Sequence, residues 1–156
     1  MIKRFLFVCH GNINRSACAE IIMKQLKPRW QVKSAAVGRT IGDVITTKKM
    51  REVLKNKGYN EFIRSTAITK ELVDWADIIY YMDESNRTNL VKHFGMGVLL
   101  KCRHLGIFVG LLKIPDPNYS KGTVVYQAVA DKIETAIKKI IRLNKKGWNG
   151  CGRGLF

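Results

Sequence analysis

The sequence predicts an α/β fold, a three-layer α/β/α arrangement with a parallel sheet at its centre. Three observations carry this. Short apolar runs suited to buried strands alternate with stretches of helical period, and such alternation yields parallel strands joined by right-handed helical crossovers. The opening run Phe5-Leu6-Phe7-Val8 is apolar without a break, as in a strand covered on both faces. The segments richest in reactive side chains follow the strand-like runs, where ligands bind in open α/β sheets.

Residues 3–8 are the first strand. Residues 17–26 form a helix with Ile21, Ile22 and Leu26 on its apolar side, stopped before Pro28. Residues 32–36 are the second strand, and residues 39–43 are a loop marked by Gly38 and Gly42. Residues 46–57 form a helix with Met50, Val53 and Leu54 inward, closed by Gly58. A shorter helix at 69–76 is capped by Thr69. Residues 77–82 are the third strand, and the helix at 85–93 ends at Gly95. A fourth strand falls within 97–114, where 98–100 and 107–112 compete. The long helix at 122–143 carries the core stripe Val125, Val129, Ile133, Ala136, Ile137 and Ile140.

The 156 residues suit one domain, expected over 1–146, followed by a flexible glycine-rich tail at 147–156. No segment is long and apolar enough to span a bilayer, and no signal peptide is expected before the first strand. Cys9, Cys18, Cys102 and Cys151 form no C-x-x-C pair, which weakens zinc and disulfide frameworks. A free reactive thiol calls for a reducing compartment, so the cytoplasm is expected. The net charge of +16, from 28 Lys and Arg against 12 Asp and Glu, attracts anionic partners.

The chemistry begins at Cys9-His10-Gly11-Asn12-Ile13-Asn14-Arg15-Ser16, between the first strand and the first helix. Backbone N–H groups of such a loop and of the helix start can cradle a tetrahedral dianion. Arg15 can grip two oxygens through its planar fork. Cys9 then lies beneath the phosphorus, where the same positive field favours its thiolate. This equips the site to take a phosphoryl group onto sulfur. Gly11 and Asn12 tolerate positive φ, and Ser16 stands where a helix cap would.

From Val8 to Glu20 the chain resembles the low-molecular-weight protein tyrosine phosphatases, whose loop reads V-C-x-G-N-I-C-R-S followed by P-x-A-E. Ser34-Ala35-Ala36 is similar to their S-A-G, Met82-Asp83-Glu84-Ser85-Asn86 to their M-D-x-S-N, and Pro115-Asp116-Pro117-Asn118-Tyr119 to their D-P-x-Y acid loop. The resemblance covers about residues 2 to 142 and is closest to the bacterial branch paired with exopolysaccharide tyrosine kinases. It implies a flavodoxin-like sheet of order 2-1-3-4 and hydrolysis of phosphotyrosine and small aryl phosphates through a cysteinyl phosphate. It implies no cofactor and no metal. The implied partner is a phosphotyrosine protein, an autophosphorylating tyrosine kinase among the candidates.

The resemblance assigns Cys9 as nucleophile, Arg15 as phosphate anchor and Asp116 as general acid. His10, Gly11, Asn12, Ile13, Asn14 and Ser16 complete the phosphate-binding loop, with Ser16 a donor to sulfur or a plain cap. His10 and Tyr119 are assigned to the pocket wall. Three departures stand out. Asn14 replaces a second cysteine that can protect the nucleophile as a disulfide. Asn118 replaces an aromatic in the acid loop. Ile63-Arg64-Ser65-Thr66-Ala67 replaces the family's H-x-A-R, whose histidine supports the loop asparagine. Arsenate reduction on the same scaffold is a rival reading that needs relay cysteines. Phosphoarginine hydrolysis is another, in relatives that tend to carry threonine where Ile13 stands. A catalytically weak relative binding phosphate or nucleic acid through its charge is the non-enzymatic alternative, distinguished by a salt-sensitive DNA shift without turnover.

Overall fold

In the computed structural model, which describes residues 3–38 and 44–145, the opening apolar run becomes β1 (Arg4–Cys9). It pairs in parallel with β2 (Gln31–Ala36) on one side and β3 (Ile78–Tyr81) on the other. The edge strand β4 (Cys102–His104) pairs in parallel with β3, giving the expected order β2-β1-β3-β4. The loop expected at 39–43, the tail at 147–156 and Cys151 lie outside the described residues.

Alternate residues of β1 feed two cores, because successive side chains of a strand point to opposite faces. Phe5, Phe7 and Cys9 join residues of α1 (Arg15–Leu26), α2 (Lys48–Asn56) and α5 (Val124–Lys145). Leu6 and Val8 join residues of α3 (Lys70–Trp75) and α4 (Glu84–Phe94). The first core is built on stacked rings, Phe5 on Trp30 at 5.1 Å and Phe7 on Tyr80 at 5.5 Å. Thr69 caps α3 as expected, accepting from the Leu72 N–H at 3.2 Å.

Several boundaries differ from the sequence pattern. The fourth strand is neither 98–100 nor 107–112. Both runs curl into 3-10 turns, Met96–Lys101 and Leu105–Val109, and β4 is the short segment between them. Val98 plugs the second core, while Leu105 and Phe108 plug the first. An edge strand has one paired neighbour and needs no apolar run of its own. Leu26 ends α1 on the exposed side, and Val125 is exposed in the first turn of α5, where Tyr126 opens the buried stripe instead. The second helix starts at Lys48, because the Thr47 side chain caps it and Thr46 bonds the Ile63 backbone.

An ion cluster fastens the end of α2 to α5. Lys57 reaches Asp131 at 2.6 Å and Glu134 at 2.5 Å, Lys138 reaches Glu134 at 2.7 Å, and the Tyr59 hydroxyl donates to Glu134 at 3.0 Å. Burial alone raises the Glu134 carboxyl, but hydrogen bonds from Lys138, Lys57 and Tyr59 reverse that and hold it at about 2, below its ordinary 4.5. The folded chain therefore holds fewer protons at Glu134 than the unfolded chain, and the stabilisation is complete only above the unfolded value. Glu134→Gln is expected to lower the urea midpoint at neutral pH, and its gap from wild type should close as pH falls from 4.5 to 2. A parallel pair of midpoint-against-pH curves would refute this.

Candidate active site

β1 ends at Cys9, residues 10–14 bend, and α1 begins at Arg15 with Asn14 at its N-cap position. Ser16 is thus inside the first helical turn rather than at the cap. Its hydroxyl is turned onto the cysteine sulfur, with Ser16 Oγ 3.0 Å from Cys9 Sγ. Asn12 adopts φ 54°, in the left-handed region that asparagine tolerates. This turns its N–H back toward Cys9 Sγ at 3.3 Å.

Asn12 is wholly buried, and every polar atom of its carboxamide is engaged. Oδ1 accepts from the Thr66 N–H at 2.9 Å, which fixes the amide's orientation. Nδ2 donates to Ser34 Oγ at 2.7 Å and to Ser16 Oγ at 2.8 Å. Ser34 in turn donates to Glu20 Oε2 at 2.5 Å, and Lys24 meets Glu20 Oε1 at 2.5 Å. A carboxylate only accepts, so the chain has a direction. Ser34 must give its hydrogen to Glu20, Asn12 gives its two amide hydrogens to the serines, and the Ser16 hydrogen is left for sulfur. Ser65 adds a bond from its hydroxyl to the Gly11 carbonyl at 2.7 Å. The segment lacking the family's histidine therefore still holds the loop, through Ser65 and the Thr66 backbone.

Arg15 is 3% exposed. Its Nη1 donates to Asp83 Oδ2 at 2.6 Å and to the Ile114 carbonyl at 3.1 Å, and its Nη2 lies 3.4 Å from Asp116 Oδ2. Asp83 also caps α4, accepting from the Asn86 N–H at 2.9 Å. Burial pushes the Asp83 carboxyl up, but bonds from Arg15 and the Asn86 N–H outweigh it and keep it below the usual range. Asp116 is 45% exposed at the mouth, with Oδ1 accepting from the Asn118 N–H at 3.0 Å.

These groups surround a cleft of about 240 Å³ lined by Cys9, His10, Gly11, Ile13, Asn14, Arg15, Asp116, Asn118 and Tyr119. The sulfur and the guanidinium thus share one cavity. His10 packs on Gly38, where an added Cβ would fall 2.1 Å from its Nδ1. Tyr119, at φ 68°, projects its ring into solvent beside the cleft. Asn14 Oδ1 accepts from Thr47 Oγ1 at 2.6 Å, welding the loop to α2. Cys102 belongs to the core on the opposite face of the sheet from Cys9, and burial pushes its thiol up to about 11. Cys18 is fully buried, and burial raises its thiol as well. Neither is an exposed relay thiol of the kind arsenate reduction needs.

All ten residues assigned to the site from the sequence gather around this cleft or its supporting loop. The pattern gave no role to Glu20, Ser34, Thr47, Thr66 or Asp83. Two carried a legible signal: a carboxylate at 20 within an otherwise apolar helical face, and a serine at 34 in a buried strand.

The family model for low molecular weight phosphotyrosine protein phosphatase matches residues 4–148. The chain belongs to this family. It is 35% identical over 144 residues to a protein-arginine-phosphatase of Geobacillus stearothermophilus, covering 90% of this chain and 95% of that protein. It is 30% identical over 155 residues to a putative low molecular weight protein-tyrosine-phosphatase of a Synechocystis strain, covering 88% and 94%. The solved YwlE arginine phosphatase from Geobacillus stearothermophilus superposes with a TM-score of 0.84 at 30% identity, over 97% of this chain and 99% of that one.

Asn12→Ala removes the hub of the loop and leaves buried polar groups unmatched. It is expected to cost about 2–3 kcal/mol in urea unfolding. Ser34→Ala keeps the Asn12–Ser16 bond and should cost about 1 kcal/mol. Equal losses in the two variants would mean that Asn12 is not the hub.

Proposed function

We propose that the chain hydrolyses phosphotyrosine on proteins, and small aryl phosphates, through a cysteinyl-phosphate intermediate. The observation that carries this is the cleft floored by Cys9 Sγ and walled by the Arg15 guanidinium, with the Asp116 carboxyl at its mouth. The Cys9 thiolate attacks phosphorus, and the S–P bond forms as the P–O bond to the aryl group breaks. Asp116 gives its proton to the leaving oxygen. The resulting carboxylate then takes a proton from water as that water attacks phosphorus. The S–P bond breaks, inorganic phosphate leaves and the thiolate returns. Arg15 neutralises the equatorial oxygens in both steps. The Asn12 N–H and the Ser16 hydroxyl support the thiolate as nucleophile and as leaving group. We assign the activity to residues 1–146 and place it in the reducing cytoplasm. Its partners on this reading are phosphotyrosine proteins, an autophosphorylating tyrosine kinase among them.

A second reading, phosphoarginine hydrolysis, draws on the relative named protein-arginine-phosphatase. The wall argues for the aryl substrate: Ile13 lines the cleft with a branched apolar side chain and no hydroxyl, and Tyr119 stands beside it. An apolar and aromatic wall suits a phenyl ring better than a charged guanidino group.

With p-nitrophenyl phosphate, Cys9→Ser is expected to lower kcat by about a thousandfold or more, and Asp116→Asn by about a hundredfold or more. Turnover retained by Cys9→Ser would end the covalent mechanism. A phosphotyrosine peptide should show a kcat/KM at least about tenfold above a phosphoarginine peptide of the same sequence, a difference of about 1.4 kcal/mol in barrier. The reverse order would assign the enzyme to arginine.

A further inference from the structure

The chain carries no acidic residue between Glu84 and Asp116, while Lys92, Lys101, Arg103 and Lys113 fall in that stretch. Among the described residues, the same stretch holds much of the large apolar surface left in water. Leu112 is 97% exposed and Leu100 is 84% exposed, with Met96 and Ile107 exposed as well. The fold strings these residues along one edge of the sheet. Met96 and Leu100 lie in the turn that enters β4, and Ile107 in the turn that leaves it. The Leu111 N–H bonds the Gly106 carbonyl at 2.9 Å, which returns Leu112 and Lys113 to the turn carrying Ile107. Arg103 folds back along the edge, with Nη1 2.7 Å from the Cys102 carbonyl and 3.4 Å from that of Leu100.

We propose that this β4 edge docks on an anionic lipid bilayer, as a peripheral contact. No helix among the described residues is long and apolar enough to cross a membrane. Protruding aliphatic side chains in a stretch that carries cations and no acid of its own match an interface of anionic headgroups over acyl chains. A nucleic acid would use the cations but offers little to Leu100 and Leu112. The edge is continuous with the catalytic cleft. Two residues after Leu112, the Ile114 carbonyl accepts from Arg15, and the Ile114 N–H bonds Met82 at 2.9 Å. Docking there would present the cleft to phosphorylated segments held close to the membrane. The contact is independent of catalysis, so its test does not depend on the reaction proposed above.

The full chain, mixed with vesicles of phosphatidylcholine or of phosphatidylcholine with phosphatidylserine, is expected to sediment with the second and not the first, and less so as salt rises. Leu112→Asp and Leu100→Asp should each weaken binding about tenfold or more, the effect of losing most of one leucine's burial. Lys113→Glu should weaken it too. Phe62→Asp, the same charge change beside Arg51 of α2, should leave it within about twofold, as a surface change outside the contact does. Failure to sediment with either vesicle overturns the proposal. So does binding that both leucine variants leave unchanged, which would assign it to diffuse charge. Retention of a DNA duplex that both leucine variants abolish would assign the edge to nucleic acid instead.

Discussion

A guanidinium withdrawn from water governs the geometry of this site. Arg15 is almost wholly buried, and a buried cation must be matched by charge and by acceptors for its donors. Asp83 and the Ile114 carbonyl meet that demand on Nη1. The partners come from two places, the turn after β3 and the segment beyond β4. Asp83 and Asp116 lie 68 and 101 residues from Arg15 in sequence. They meet because β3 lies beside β1 and β4 beside β3, so their carboxyl ends open on one rim. The two carboxylates differ in kind. Asp83 is 13% exposed, short-bonded and tied to a helix cap, which makes it a strut. Asp116 is 45% exposed and 3.4 Å from Nη2, a looser contact at the mouth of the cleft.

The sulfur is held by a separate network that shares no side chain with the first. It runs from Lys24 through Glu20, Ser34, Asn12 and Ser16 to Cys9. Its direction is imposed at the Glu20 end, where the carboxylate can only accept. Such a chain is worth more than its separate bonds, because each member is buried and each bond orients the next. The departure at 63–67 is absorbed here. A backbone N–H at Thr66 and a hydroxyl at Ser65 hold the loop in place of a histidine.

Cys9, Arg15 and the loop between them were legible because they lie in one local segment whose turn residues and flanking periods agree. The buried elements were legible for a related reason: β1, the Met50–Val53–Leu54 face and the α5 stripe carry their burial in their spacing. What failed lies at ends and edges. Leu26 and Val125 continue an apolar pattern past the point where the helix still faces the core. β4 is an edge strand set between two apolar turns, so the hydrophobic signal pointed to its neighbours. Ser16 reads as a possible cap because the helix starts two residues before its apolar pattern, at Arg15. Glu20 and Ser34 stand out as polar residues at buried positions, but the partners they and Thr66 meet across the fold are recorded by no spacing along the chain.

The distribution of acids explains how a strongly basic chain keeps a cation-centred cleft intact. Glu20, Asp83, Asp116, Asp131 and Glu134 are each committed to a lysine or arginine within the fold. The carboxylates that face inward therefore neutralise buried or half-buried cations, and the excess of +16 is left chiefly on the surface. Close to sulfur, the field is set by Arg15, Asp83 and the loop N–H groups, where burial protects it from salt. Farther out it is set by exposed lysines and is screened within about 8–10 Å at moderate ionic strength. Capture of an anionic partner and stabilisation of the bound phosphoryl group are thus physically separable. Salt should act on the first and leave the second largely untouched, because only the first works through water.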